Sequence, residues 1–208
     1  MQVMQTSEGE ERAGLRERKR QRTRETIARV ALELFDRQGF QETTIPQIAE
    51  AADVSPRTVS AYFPHKEDLA FPDAEEEFAE FEARLRDRAP DETAIDAMRA
   101  IIRASLDEEG ERACERRLRR RVIRADDGLR AHEHRYMRRV QELIAAAVAR
   151  DLGASADDLE PRMAAAATLT VFDLLGEDYE DADPAEALAV VDRALLFIGG
   201  GISALRAG

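Results

Sequence analysis

The chain has 208 residues, 44% of them apolar and 36% charged, with a net charge of −12, no tryptophan and one cysteine. This length can bury a full core, the lone Cys114 excludes an intrachain disulfide framework, and a composition rich in Ala, Glu, Arg and Leu favours an all-helical fold. No apolar run approaches the roughly 18 uninterrupted residues of a membrane span, and the N-terminus lacks the apolar segment of a secretory signal, so a cytoplasmic protein is expected.

The negative total hides a split. Residues 1–66 hold 11 Lys and Arg against 10 Asp and Glu, and the acidic excess lies entirely beyond them. Arg12, Arg16, Arg18, Lys19, Arg20, Arg22 and Arg24 cluster ahead of the first apolar stripe, and residues 1–22 read as a disordered basic arm. An acidic body with a basic head would orient itself towards a phosphate backbone, although a merely solvated tail has the same composition.

The first helix is predicted over Thr23–Gln38, where Ile27, Val30, Ala31, Leu34 and Phe35 form one stripe and Gly39 is the stop. Thr44 is placed to cap a second helix, with Gln47 as its capping-box partner and Pro46 in the first turn. Asp53 belongs to the few non-glycine types that accept a left-handed backbone, so a sharp turn is expected there. Ser55 and Pro56 then start a short third helix. Val59 and Phe63, with Ile48, Ala49 and Val54, supply the core of this helix-turn-helix, while Arg57, Ser60 and Ala61 share the outer side. Short polar side chains allow close approach to a major groove, and Arg57 has the reach and donors to read a guanine. Pro64 ends the segment, and "HKEDL" is expected to open a fourth helix.

Beyond residue 70 the pattern is a run of longer helices. Phe78, Phe81 and Leu85 share one side of the first, and Ile95, Met98, Ile101, Ile102 and Leu106 one side of the second. A basic helix follows with Leu118, Val122 and Ile123 as its apolar positions. A long helix over Leu129–Arg150 comes next, then one from Pro161 that is apolar nearly all round, and a last one from Pro184 that the glycines at 199–201 should halt. The expected architecture is all-α: the arm at 1–22, a helix-turn-helix domain at 23–70 and a larger helical domain at 71–208. There is no strand-like alternation and no internal repeat.

The ordered wording "TRETIARVALELFDRQGF", "TTIPQIAEAADVS" and "PRTVSAYFPHKEDL" resembles the DNA-binding domain of the tetracycline-repressor (TetR) family of bacterial regulators. The resemblance implies a homodimer with two recognition helices in successive major grooves, and a C-terminal helical domain that holds a small-molecule effector. It also implies that Thr44 and Tyr62 contact phosphate, and that Arg57, Thr58 and Ser60 read bases or adjoining phosphates. Lys66 would meet a phosphate at the start of the fourth helix. Ser55 and Arg22 join this DNA-facing set, and His65 either donates to a phosphate when protonated or packs over a helix end. The sequence departs from the family where Asp53 replaces the usual turn glycine and where Ser60 and Ala61 stand in place of longer side chains, which shifts readout towards Arg57 and DNA shape.

Met98, Ile102, Leu118, His134, Tyr136, Met137, Val140, Leu169 and Phe172 are candidates for the effector pocket, and equally for ordinary core. His132 and His134, two apart on a helix, lack the i, i+4 spacing of a helical zinc site, and no cofactor is expected. Cys114 sits in a basic stretch that would favour its thiolate, with no second cysteine to resolve it. No catalytic constellation is present. The reading is therefore a DNA-binding regulator, most often a repressor in this family, dimeric through its last two helices. The rivals are an enzyme built on the helical domain and an interaction module that has lost DNA binding.

Overall fold

The computed structural model describes residues 4–106, 111–177 and 183–207. Among them the chain forms nine α-helices and a 3₁₀ turn, with no strand. The helices are α1 (Met4–Gln38), α2 (Ile45–Ala51), α3 (Pro56–Tyr62), α4 (Ala74–Arg86), α5 (Ala94–Leu106), α6 (Glu111–Ala125), α7 (Asp127–Leu152), α8 (Leu159–Glu177) and α9 (Pro184–Ala207), with the 3₁₀ turn at Glu67–Ala70 between α3 and α4. The chain divides into two compact units, the first comprising Met1–Pro72 with Leu118–Arg130, the second Asp73–Arg117 with Ala131–Gly208.

In the first unit, α1 buries Ile27, Ala28, Ala31, Leu32 and Phe35 against Ile48 and Ala49 of α2, Val59 of α3, and Phe63 and Leu69 beyond it. Within the basic segment expected as a disordered arm, the residues from Met4 onward form the N-terminal turns of α1. Residues 15–26 contain neither proline nor glycine and are mostly strong helix formers. The unit also takes in the end of α6 and the start of α7, through Val122, Ile123 and Leu129. The domain division at residue 70 therefore omits a returning segment, one that hydrophobic periodicity cannot assign to either core.

The second unit buries Met98 and Ile102 of α5, Val140, Ile144 and Val148 of α7, Ala165 and Val171 of α8, and Val191 and Leu195 of α9. Asp151, at the end of α7, accepts from the Arg88 guanidinium (2.8 Å) and from the Ala94 amide at the start of α5 (2.6 Å). α8 starts two residues before Pro161, which still falls in the first turn, where a proline costs no hydrogen bond. α9 is not halted by its glycines and continues to Ala207. Each glycine costs about 1 kcal/mol of helix propensity, but Ile202, beyond the run, is buried and holds the helix against the core. The stretch Ala185–Ala204 is long and apolar enough to cross a membrane by length and composition alone. One side of it, through Ala187, Val191, Leu195 and Ile202, is buried in the second unit's core, and Asp192 pairs with Arg99 of α5 at 3.0 Å.

Candidate nucleic-acid interface

The turn between α2 and α3 is built by backbone hydrogen bonds. Asp53 adopts φ 52°, and around it the Val54 amide donates to the Ala49 carbonyl (2.9 Å) and the Asp53 amide to the Glu50 carbonyl (3.2 Å). This is a Schellman ending with aspartate in the left-handed position normally held by glycine. It satisfies the last carbonyls of α2 and turns the chain into Ser55. There the serine Oγ accepts from the Thr58 amide (3.0 Å), and Pro56 opens α3. The start of α2 is equally explicit. Thr44 Oγ1 faces the Gln47 amide (3.5 Å), and the Gln47 side-chain oxygen accepts from the Thr44 amide (2.8 Å), closing a capping box.

With α3 held this way, Val59 and Phe63 point inward at 0% and 2% exposure. Ser55, Arg57, Ser60 and Ala61 are exposed, while Thr58 and Tyr62 are half-buried. Arg57 has no hydrogen-bond or ion-pair partner among the described residues, so its five donors face solvent. The hydroxyls of Ser55 and Thr58 lie 2.8 Å apart and share one hydrogen bond. Ile48, Ala49, Val59 and Phe63 are buried as a helix-turn-helix core requires, and Val54 packs partly buried against them. Thr44 is exposed, with its hydroxyl hydrogen directed at the Gln47 oxygen (2.9 Å). Arg22 is an exposed residue of α1.

Lys66 departs from its expected role. Its ammonium donates to the carbonyls of Phe40 (2.6 Å) and Thr43 (2.8 Å), stays within 3.5 Å of the Gln41 carbonyl, and lies 4.2 Å from the centre of the Phe40 ring. These are the orphan carbonyls between α1 and α2, where a cation is stabilised by the helix C-terminus and the aromatic face. Lys66 thus ties the loop, and its donors are directed into the protein. No fourth helix starts beside it either, because residues 67–70 form only a 3₁₀ turn and α4 begins at Ala74. His65 is exposed, with its amide donating to Asp68 (2.9 Å).

Two contacts absent from the sequence reading brace this unit. Arg121 of α6 pairs with Asp36 of α1 (2.6 Å and 3.1 Å), and this hydrogen-bonded pairing holds the Asp36 carboxyl below its ordinary range despite some desolvation. Asp126 accepts from the Gln41 side-chain amide (2.8 Å) and from the Leu129 amide at the start of α7 (3.0 Å). Its desolvation, the largest single influence, is outweighed by those bonds and by the charge of Lys66, so its pKa is also lowered. "ADDG" does carry the cap signal for α7, but partners 85 residues away leave no local trace.

Six of the nine pocket candidates, Met98, Ile102, Val140, Tyr136, Leu169 and Phe172, fall in or against the second unit's core. Leu118 packs on the first unit's core and leaves the set, because its helix changes units at that residue. Met98, Ile102 and Val140 are fully packed core. Tyr136, Leu169 and Phe172 lie partly buried against them, Met137 is half-buried and His134 exposed. Burial, with Glu77 and Glu75 nearby, pushes the Tyr136 hydroxyl up to about 12, so it remains a neutral donor at physiological pH. His132 Nδ1 is 3.2 Å from the Arg135 guanidinium, and Cys114 is exposed beside Arg117.

Comparison with known proteins agrees with this geometry. Residues 27–71 match the profile of bacterial regulatory proteins of the tetR family, and residues 92–203 match the MftR C-terminal domain. The chain is 35% identical over 199 residues to the HTH-type transcriptional regulator TcmR of Streptomyces glaucescens, covering 88% of this chain and 85% of TcmR. Among solved structures, GusR of Salmonella enterica superposes with a TM-score of 0.63 at 21% identity, covering 87% of this chain and 95% of that one. Thermus thermophilus FadR, a repressor solved with lauroyl-CoA, gives 0.56 at 26% identity, covering 86% and 94%.

Proposed function

The chain belongs to the TetR family of bacterial transcriptional regulators, and from that premise we propose that it is a repressor released from its operator by a small molecule bound in the second unit. The observation that carries the DNA-facing part is α3 itself. It has a fixed turn before it, a buried inner side, and an outer side of Arg57, Ser60 and Ala61 that is exposed and short apart from one arginine. Arg57 donates to the guanine O6/N7 edge, Ser55 and Thr58 adjust to bases or phosphates, and Thr44 and Tyr62 meet the backbone. Lys66 acts indirectly, by setting the α1–α2 loop.

Dimerisation is assigned to α8 and α9. Leu159, Met163 and Leu174 on α8 and Leu196 and Phe197 on α9 are large, apolar and between 41% and 84% exposed. Such a surface, repeated in two copies, favours an isologous four-helix seam. Effector binding then favours a spacing of the two recognition helices that misses the roughly 34–36 Å repeat of successive grooves. Tyr136, a neutral donor beside apolar side chains, is suited to orient a ligand; the lauroyl-CoA in the FadR structure supports a ligand site on a similar fold.

The test is a gel-shift titration against the DNA upstream of the chain's own gene, at two salt concentrations, with scrambled DNA as control. Tight, selective binding that weakens with salt is expected. Weak binding equal on both duplexes, and no sequence recovered from a genome-wide selection of bound fragments, would contradict the proposal.

A further inference from the structure

The recognition surface leaves one charged feature unused. α1 runs several turns beyond its first buried residue, and the register of those turns is informative. Ile27 is fully buried, while Arg20 and Arg16 lie seven and eleven residues before it. At 3.6 residues per turn these are about two and three turns, so both arginines point within about 20° of the Ile27 direction. The acidic neighbours Glu17 and Glu25 point about 80° and 160° away by the same geometry. Both arginines are exposed and have no hydrogen-bond or ion-pair partner among the described residues. Arg24 lies between this row and the core, with its guanidinium 5.3 Å from the centre of the Phe63 ring at the end of α3. The helix side that packs on the helix-turn-helix therefore continues past the recognition helix as a basic row. From Arg24 to Arg16 the axis advances about 12 Å, which spans three to four phosphates of one DNA strand at about 3.4 Å each.

We infer that Arg16 and Arg20 bind phosphates of the duplex flanking each half-site, as a helical extension of the recognition unit. This rests on the DNA-binding reading above. The row is carried by the same unit as α3, and its helix gives the arginines a fixed spacing, so it extends the footprint without reading sequence. An acidic protein surface would suit the same charges, but nothing ties such a partner to the recognition helix.

The test uses the full-length protein and a duplex selected by the wild type from a randomised library, prepared with about ten flanking base pairs on each side or trimmed to the half-sites. Each phosphate contact adds about 0.9 to the slope of log K against log salt. On the flanked duplex the R16A/R20A variant should lose about 3.6 of that slope per dimer, while R16K/R20K keeps it. On the trimmed duplex wild type and R16A/R20A should give the same slope. Equal slopes for wild type and R16A/R20A on the flanked duplex would overturn the inference, leaving the row to solvent or to a protein partner. Failure of the wild type to select any duplex would instead overturn the DNA-binding reading itself.

Discussion

The two units bury similar side chains, but of the large apolar side chains left exposed among the described residues, five lie in the second unit and one, Leu15, in the first. The first surrounds its core of Ile27, Leu32, Ile48 and Val59 with Arg57, Ser60 and the arginines of α1, whereas the second surrounds Met98, Ile102, Ile144 and Leu195 with Leu196, Phe197 and Met163. A basic, polar surface over a rigid core is drawn to a polyanion by charge and by the counterions it releases. An exposed apolar helix side gains only by meeting another one. The difference is what the proposal builds on, with nucleic acid at the first unit and self-association at the second.

The largest expected effect lies in the second unit. Phe197→Glu places a charge at each of two symmetric positions of the proposed seam. With about 2 kcal/mol for each central aromatic, dimer dissociation should strengthen by about a thousandfold, visible as monomer in sedimentation at micromolar concentration. A dimer that survives unchanged would break the comparison.

The next effect is in the first unit. Asp53→Val puts a β-branched residue at φ 52° and should cost about 1–2 kcal/mol, read as a lowered urea midpoint, whereas Asp53→Gly should be neutral or stabilising. An equal loss from both would mean that the aspartate side chain, and not the backbone, makes the turn.

The smallest effect concerns the braces at Asp36 and Asp126. Both carboxyls are held below their ordinary range, so their contribution is present above about pH 4, the unfolded value, and is lost as pH falls through the lowered folded values. The D36N/D126N variant should be less stable than wild type at pH 7 by about 1 kcal/mol or less, since the pairs are partly exposed. That gap should close in acid, and a gap independent of pH would show that charge is not what braces the unit.

The same contrast governs how much of each unit can be read from sequence. Thr44 with Gln47, Asp53, and Ser55 with Pro56 act on partners within five residues, so residue type and spacing were enough to place both caps and the left-handed turn. The carbonyls that Lys66 serves lie 23 to 26 residues earlier in the chain, beyond the reach of local spacing. Leu118 packs on the first unit's core, and an apolar stripe states that a residue is buried without stating in which core. Ala28 and Leu32 are buried like Ile27, although they lie beside the narrow apolar stripe of α1. α9 outran its glycines because tertiary burial of Ile202 outweighs local propensity. Recognition by a helix-turn-helix is written in local geometry, whereas an effector site is assembled from side chains that look like any core.

If α3 reads sequence through Arg57, the difference shows most directly between wild type and Arg57→Ala on the selected operator and on scrambled DNA at one salt concentration. Arg57→Ala should lose about 1–3 kcal/mol on the operator, change much less on scrambled DNA, and relax the preference at the base pair that Arg57 contacts. Unchanged operator affinity, or an equal loss on both duplexes, would contradict it.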